Sequence, residues 1–180
     1  MTVLKILVAP DPRLKEKAKP VQKVDADVRQ LMDDMLETMY EHNGIGLAAT
    51  QVGIDKRVIV VDVADSRKDE KPDPYQIANP ELVETSQEEV ASQEGCFSVP
   101  GYFADVVRPA TCTIKGLDRN NNEITIKADG LLGVCLQHEI DHLDGILFVD
   151  HLTRLKRKLI LQRLGKDIKL GRAHQYGRVI

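Results

Sequence analysis

The chain has no tryptophan and no long hydrophobic run, and these absences limit what it can be. A helix that crosses a membrane needs roughly 18 to 20 apolar residues, whereas the longest strand-like apolar run is only Val58 to Val61. The opening MTVLKILVAPDP reaches Pro10 and Pro12 too soon to supply the hydrophobic part of a signal peptide. We therefore expect a protein of the cytoplasm that has no membrane partner.

Cysteines are also few, only three in 180 residues. In a chain without an export signal they are poor material for disulfides, because reducing compartments keep thiols free. Burial as small hydrophobic side chains is their simplest interpretation. The length suits one domain with its own core, and the 42% hydrophobic and 29% charged residues are typical of a globular protein.

Charge is unevenly distributed along the chain. From Thr153 to the end, nine Lys and Arg residues face one acid, Asp167, which gives a local charge of +8. Because the net charge is −3, the first 152 residues carry −11. A basic tail on an acidic body indicates either a polyanionic partner or a solvated helix.

Hydrophobic spacing predicts an N-terminal helix followed by a run of strands. Asp25 is placed to cap a helix that runs to about Glu41. Strand-like segments follow at 57–63, 76–78, 82–91, 102–107, 111–117 and 123–128. The last two flank the turn-forming stretch 118–122, so we expect them to form a hairpin.

Two helices are predicted after the strands. The first covers 131–143, is apolar on most sides and has Gly145 as a C-cap, so we expect it to be central and buried. The second covers 153–164. The predicted fold is a single α+β domain with antiparallel sheets packed around the central helix, plus an N-terminal and a C-terminal helix. Residues 1–152 would form the catalytic domain and 153–180 a basic helix and tail within the same unit.

The central helix carries the segment QHEIDHLDG, which contains His138, Glu139 and His142. Histidines at i and i+4 lie one above the other on a helix face, so both imidazoles can reach one ion. The pentapeptide H-E-x-x-H also occurs by chance, so these five letters alone leave a metal site undecided. A third ligand would decide it.

The residues that follow this motif argue against two classes of zinc protease. A metzincin has a third histidine at the position that Phe148 occupies here. A thermolysin-like enzyme takes a glutamate from a later helix, but the chain contains no glutamate after His142. A general metallopeptidase is therefore disfavoured, although internal cleavage of unformylated peptides would revive it.

A cysteine is the remaining good candidate for the third ligand. Cys135 precedes His142 by seven residues, about 10.5 Å along a helix, which is too far for one ion to bind both easily. Cys112 lies in an alternating strand and is most simply a packed residue. Cys96 lies in QEGCFSVPG, where glycine and proline predict an irregular turn that can aim a thiolate at a helix.

Three motifs in order give the chain its resemblance to the peptide deformylases. They are GIGLAATQVG at 44–53, EGCFS at 94–98 and QHEIDHLDG at 137–145, and the resemblance covers most of residues 1–152. It implies a metal-dependent hydrolase that removes the formyl group from the N-terminal formylmethionine of nascent polypeptides and releases formate. N-formylmethionyl nascent peptides are then the expected substrates.

The resemblance also implies a metal site and its ligands. Cys96, His138 and His142 would bind one divalent ion, with Fe(II) as the expected native metal and Zn, Ni or Co as alternatives that the sequence does not separate. Glu139 would act as general base and later as general acid. A binding module with a structural Cys-His-His metal is the rival function, but structural sites normally close with four protein ligands.

The remaining implied residues lie around the reacting carbonyl. Gln51 and the main-chain N–H of Phe97 would donate to the developing oxyanion. The substrate-binding residues implied are Ile45, Gly46, Gly95 and Cys135. The family usually carries leucine where this chain has Phe97, so we expect the aromatic ring to reshape the methionine pocket.

Several charged residues outside the motifs have two interpretations. Glu94 and Arg108 either pair to support the turn at Cys96 or lie apart on the surface. His42, His151 and His174 are expected to be ordinary surface histidines. The basic C-terminal helix either docks on ribosomal RNA phosphates or is simply solvated; its candidate contacts are Arg154, Lys156, Arg157, Lys158 and Arg163. No DNA partner is expected.

Overall fold

The computed structural model describes residues 2–64 and 70–173. Its helices are α1 (Ala26–Glu41), α2 (Gly130–Leu143) and α3 (Arg154–Lys169). Its strands are β1 (Gly46–Ala48), β2 (Val58–Val61), β3 (Tyr75–Thr85), β4 (Glu89–Cys96), β5 (Val99–Pro109), β6 (Thr111–Leu117) and β7 (Glu123–Asp129). Short 3-10 helices lie at Pro12–Lys15, Ala49–Val52 and Phe148–His151. No helix within the described residues is both long and apolar enough to cross a membrane.

Two antiparallel sheets form the framework of the fold. The larger has the strand order β1-β2-β3-β6-β7, and the smaller is the hairpin β4-β5. Within β2, Ile59 and Val61 belong to the hydrophobic cluster that contains the apolar residues of α2, whereas Val58 and Val60 belong to the cluster of α1. Because successive strand residues point to opposite faces, β2 is buried on both sides between the two helices.

The predicted α1 and the predicted hairpin are confirmed. The side chain of Asp25 caps α1 by accepting a hydrogen bond from the amide of Val28, and β6 pairs with β7 in the antiparallel register expected. The buried apolar face of α1 is formed by Val28, Leu31, Met32, Met35 and Met39. Full burial of each such side chain contributes about 1.5–3 kcal/mol.

Three predicted boundaries differ from the structure. The strand predicted over 82–91 is wrong as one element, since β3 ends at Thr85 and β4 begins at Glu89. Between them the hydroxyl of Ser86 donates to the carbonyl of Glu88 at 2.8 Å, which stabilises a turn. The last helix, α3, is longer than predicted, because it continues through Gly165 and ends at Lys169. Cys96 ends β4 rather than lying in a free turn, and the register shifts between Gly95 and Cys96.

Two asparagines fix the segment that leads into α1. Asn79 accepts from the amide of Val21 and donates to its carbonyl, both at 2.8 Å. Asn121 binds the amide and carbonyl of Val24 in the same way, at 2.7 and 2.9 Å. Both asparagines have positive φ, 50° and 65°, a conformation that asparagine tolerates better than most residues. Each asparagine side chain therefore satisfies one amide and one carbonyl of the backbone segment that precedes α1.

Asn79→Ala is expected to lower the free energy of unfolding by about 2 kcal/mol, because two hydrogen bonds are lost and alanine disfavours positive φ. Urea unfolding of the full chain measures this change. Asn120→Ala, at an exposed turn position, is the matched control and should change the free energy by less than about 0.5 kcal/mol. Equal effects at the two positions would contradict a stabilising role for the hydrogen bonds between Asn79 and Val21.

Candidate metal centre

The end of β4 and one face of α2 bring a thiol and two imidazoles together. Sγ of Cys96 lies 3.1 Å from Nε2 of His142, which lies 3.1 Å from Nε2 of His138. The candidate ligand atoms of all three residues lie within 4.8 Å of one another, and each residue is at most 1% exposed. Ligands bound to one ion at about 2.0–2.3 Å are themselves roughly 3.4–3.7 Å apart in a tetrahedral site. The cluster therefore needs only small adjustments to hold a metal ion.

The hydrogen bonds of His138 leave its Nε2 free for a metal. Its Nδ1 lies 2.8 Å from Oε2 of Glu94. Burial opposes ionisation of Glu94, but hydrogen bonds from His138 and Arg108 outweigh it and lower the pKa of Glu94 to about 2. An ionised Glu94 accepts a hydrogen bond from Nδ1 of His138, which leaves Nε2 as the ring nitrogen that faces the cluster.

Burial affects the protonation of the other two candidate ligands. It lowers the pKa of His142 well below its ordinary value, so its imidazole is neutral. Burial also raises the pKa of the Cys96 thiol to about 12. A bound cation would favour the thiolate in such a site. One buried sulfur and two buried nitrogens thus fit a divalent ion such as iron or zinc.

Glu139 is a buried carboxylate beside this cluster. It is 0% exposed, and neither of its carboxylate oxygens has a hydrogen-bond partner within residues 2–64 and 70–173. Burial, then the negative charge of Glu94, raises its pKa well above the ordinary value. A carboxylate left in this state costs stability, and such groups cluster at functional sites.

Gln51 directs an amide donor at the same place. It lies on the 3-10 helix Ala49–Val52 and is fully buried. Its Oε1 accepts from the amide of Ala48 at 2.8 Å, which fixes the orientation of the side-chain amide. Its Nε2 consequently points to Sγ of Cys96 at 3.3 Å and to Oγ of Ser98 at 3.4 Å.

Three of the expected substrate-binding residues lie together. Cys135 donates weakly from Sγ to the carbonyl of Ile45 at 3.5 Å. A Cβ on Gly46 would lie 2.7 Å from that sulfur and 2.3 Å from Oε1 of Glu139, so only glycine fits here. In the described part of the chain β1 pairs only with β2, on one side. The cluster therefore lies beside the edge strand of the larger sheet.

Phe97 and Gly95 occupy different surroundings. The Phe97 ring is fully buried in the cluster of α1, 5.8 Å from the ring of His42. A Cβ on Gly44 would lie 2.1 Å from Cζ of this ring. Gly95 lies under the ring of Phe103, whose Cε1 would be 2.4 Å from a Cβ there. The side chain of Phe97 thus packs against α1.

A network of charged groups supports the metal-ligand candidates. Of the two interpretations of Glu94 and Arg108, the structure has the pair, with Nε to Oε1 at 2.6 Å and Nη2 to Oε2 at 3.0 Å. Sequence reasoning missed Asp141, although it is an acid on a helix that was predicted to be buried. It also treated His151 as an ordinary surface residue, whereas His151 hydrogen-bonds Asp141. His174 lies outside the described residues.

Among the described residues, three candidate ligands, one fewer than a closed structural site, lie with an unpaired carboxylate beside them, which fits a metal-dependent hydrolase. Residues 3–158 match the family model described as polypeptide deformylase. The chain therefore belongs to the polypeptide deformylase family.

Similar proteins cover nearly the whole chain. A peptide deformylase of Methylocella silvestris is 53% identical over 171 residues, 94% of this chain and 87% of that protein. One of Alkalilimnicola ehrlichii is 49% identical over 178 residues, 99% of this chain and 98% of that protein. The crystal structure of peptide deformylase from Ehrlichia chaffeensis superimposes with a TM-score of 0.89 at 45% identity, covering 94% of this chain and 99% of that chain.

A second Ehrlichia chaffeensis structure, of the deformylase in complex with actinonin, has a TM-score of 0.87 at 47% identity and covers 93% and 98% of the two chains. These similarities confirm the expected α+β fold, the expected family and the expected activity, which is that of a peptide deformylase.

Proposed function

We propose that this chain removes the formyl group from polypeptides that begin with formylmethionine, with the buried cluster on α2 and β4 as its active site. The observation that carries the assignment is the convergence of Cys96, His138 and His142 next to the unpaired carboxylate of Glu139. Water adds to the formyl carbon, the bond from that carbon to the peptide nitrogen breaks, and formate and a free α-amino group result.

Cys96, His138 and His142 would hold one divalent ion. We propose Fe(II) as the native metal, with Zn, Ni and Co as the alternatives to be compared by reconstitution, since sulfur and imidazole ligands suit all of them. Such an ion polarises a carbonyl and makes water more acidic when it is bound. The neutral imidazole of His142 and the Nε2 atom of His138, whose Nδ1 is bound by Glu94, would supply the two nitrogen ligands.

Glu139 moves the proton in this proposal. One of its carboxylate oxygens accepts a proton from the attacking water and then delivers it to the departing amine nitrogen. Burial supports both steps, because the raised pKa makes the carboxylate a stronger base than an exposed one. Both oxygens lack hydrogen-bond partners in the described structure. Glu139 can therefore contact the water and the substrate without first breaking another hydrogen bond.

Two donors would stabilise the negative charge that develops on the formyl oxygen. Nε2 of Gln51 is held in place by the contact of Oε1 with Ala48, and the main-chain N–H of Phe97 follows directly after the candidate ligand Cys96. Fixed donors of this kind contribute about 3 kcal/mol each to the transition state. The edge of β1 at Ile45 and Gly46 would pair with the extended peptide, with Gly95 on the other side and Cys135 beside the methionine side chain.

A formate-release assay tests the proposed function. The chain is purified anaerobically with Fe(II) and given formyl-Met-Ala-Ser, the unformylated peptide and the N-acetylated peptide. We expect formate from the first peptide alone, with the peptide bonds intact. Internal cleavage of the unformylated peptide would instead support a general metallopeptidase.

Phe97→Leu is expected to change the preference for the substrate side chain or for inhibitors indirectly, through β1. The ring packs under Gly44, so its removal leaves space beneath the residue that precedes Ile45 and the start of β1. We expect a raised KM for formyl-Met-Ala-Ser, measured by steady-state kinetics, while bound metal stays stoichiometric. Identical kinetics and binding across a substrate and inhibitor series would contradict this prediction.

Gly44→Ala provides the matched test of this contact. In the parent chain the new Cβ clashes with the Phe97 ring, and we expect a loss of about 1–3 kcal/mol in the free energy of unfolding. Leucine is shorter, so the same change should cost less in the Phe97→Leu background. An equal cost in both backgrounds would show that the ring is not the obstacle.

We also propose that α3 docks on the ribosome, where formylated chains emerge, and that the protein works in the cytoplasm. One face of α3 is fixed to the body through the buried Leu164, through Arg157 with Asp150 at 2.7 Å, and through Tyr102 with Asp167 at 2.5 Å. The exposed face carries basic side chains suited to phosphates, namely Arg154, Lys156, Lys158, Arg163, Lys166 and Lys169.

Changing Arg154, Lys156 and Lys158 together to glutamate is expected to abolish low-salt co-sedimentation with ribosomes and leave deformylation of the free peptide unchanged. Binding by the parent chain should weaken steeply as salt rises. The control carries the same reversal at three exposed lysines of the body, Lys23, Lys71 and Lys127. Equal loss in the two triple variants would indicate net charge rather than α3 docking.

A further inference from the structure

A continuous line of hydrogen-bonded side chains leads from the protein surface to the candidate metal centre. Arg108, only 4% exposed, holds both oxygens of Glu94, and Glu94 holds Nδ1 of His138. On its other side Nη1 of Arg108 donates to Oδ2 of Asp141 at 2.8 Å. The same Asp141 oxygen lies 2.7 Å from Nε2 of His151, whose side chain is 34% exposed.

Each link fixes the orientation of the next because the guanidinium of Arg108 is planar. When Nη1 is held by Asp141, Nε and Nη2 both face Glu94, which is the fork geometry that favours a two-oxygen contact. Glu94 then sets the tautomer and the rotation of the His138 ring. A change in the position of Asp141 therefore turns the guanidinium and alters the contact behind His138.

Asp141 is the carboxylate of this line that is held least firmly by its surroundings. Its side chain is 21% exposed, so without a second donor it can turn towards water. His151 supplies that donor from the 3-10 helix Phe148–His151, which precedes α3. The neighbouring Asp150 is already engaged by Lys15, by Arg157 and by the amide of Leu147, so it does not compete for His151.

We propose that His151 is a positioning residue of the metal centre, which holds Asp141 against Arg108 and thereby orients Glu94 behind His138. This inference rests on the proposed function, because it takes His138 as a metal ligand. His151 itself lies outside the reacting groups and acts only through Asp141. Its effect should therefore appear in metal affinity and should depend on Asp141.

The test measures the Co(II) dissociation constant of the full chain by chelator competition. We expect His151→Leu to weaken Co(II) binding about threefold to tenfold, and Asp141→Asn to weaken it about 10- to 100-fold, the range found for residues that support metal ligands. His151→Gln keeps an amide donor near the position of Nε2 and should retain affinity within twofold. In the Asp141→Asn background, His151→Leu should change affinity less than twofold.

Arg157→Met is the matched control, since it breaks the ion pair with Asp150 at the same junction but leaves the line to His138 intact. Its Co(II) affinity should stay within twofold of the parent. The inference would be overturned if His151→Leu left the Co(II) affinity unchanged. It would also be overturned if His151→Leu caused the same loss of affinity in the Asp141→Asn background as in the parent chain. His151→Ser is a second variant with the same expectation should leucine prevent folding.

A separate variant distinguishes the failure of this inference from the failure of the proposed function. His138→Ala should remove Co(II) binding if the proposed metal site is right. Retained tight binding in His138→Ala would overturn the site and the inference together. Lost binding in His138→Ala with unchanged affinity in His151→Leu would overturn the inference alone.

Discussion

Glu139→Gln is expected to lower kcat for formate release by about 100- to 10,000-fold while the bound metal remains stoichiometric, as loss of a general base and acid requires. Glutamine has nearly the same shape, so the surrounding side chains need not move. Its amide, however, can neither accept the proton of the attacking water nor deliver one to the departing nitrogen. Steady-state kinetics with formyl-Met-Ala-Ser and elemental analysis of the same protein sample measure the two quantities.

The matched control for this change is Glu37→Gln on α1. Glu37 also has a buried carboxylate oxygen without a hydrogen-bond partner in the described structure, but it is not among the residues gathered at the metal centre. Its kcat should stay within twofold of the parent. If Glu139→Gln kept a third or more of the parent kcat, or lost its metal, the assignment of Glu139 as the proton carrier would fail.

The same substitution links the site to stability. A buried carboxylate without partners costs free energy, and the like charge of Glu94 adds to that cost. Glutamine has no charged form to desolvate, so the change should not lower the thermal midpoint of the metal-free chain, and we expect a small increase. A residue whose replacement makes the fold more stable but abolishes activity is typical of an active site.

Local periodicity was enough to predict α2, which carries two of the candidate ligands, but not β4, which carries Cys96. The predicted α2 carries His138 and His142 on one face, and burial around it follows from apolar residues on most sides. The hairpin β6-β7 likewise follows from its turn residues. These features depend on contacts a few residues apart, which a sequence pattern records directly.

The direction of the Phe97 ring shows where the reasoning stopped short. Sγ of Cys96 lies beside the imidazoles on α2, whereas the Phe97 ring packs in the hydrophobic cluster of α1. Phe97 follows the end of β4, so strand alternation does not fix the direction of its ring, and the resemblance alone placed it beside the methionine pocket. The structure adds a close approach of the ring to Gly44, which precedes Ile45 and β1.

The link from Asp141 to His151 could not be read from the sequence for a different reason. Both side chains are common surface types, and their contact depends on the angle at which the 3-10 helix Phe148–His151 returns past α2. Residue spacing does not determine that angle. Arg108 likewise joins β5 to Asp141 across 33 residues of chain, which only the assembled fold can define.

Cys96→Ser is expected to weaken metal binding at least 100-fold and to remove the thermal stabilisation that the metal gives. The Cys96 thiol stays neutral in its buried site because its pKa is raised to about 12, so its thiolate depends on the ion that it binds. A serine hydroxyl is far less acidic and supplies neither the sulfur nor the negative charge. A ligand at 100 times its Kd stabilises a fold by about 2.7 kcal/mol, and this amount should be lost.

Cys112→Ser is the control for this change, since Cys112 is also buried but donates weakly to the carbonyl of Gly133 at 3.7 Å, away from the candidate ligands. It should bind the metal as the parent does, even if it is slightly less stable. Metal content and thermal unfolding with and without added Co(II) separate the two variants. Equal metal loss in both would mean that general destabilisation, rather than a missing ligand, empties the site; loss in Cys96→Ser alone would support the thiolate as the third ligand.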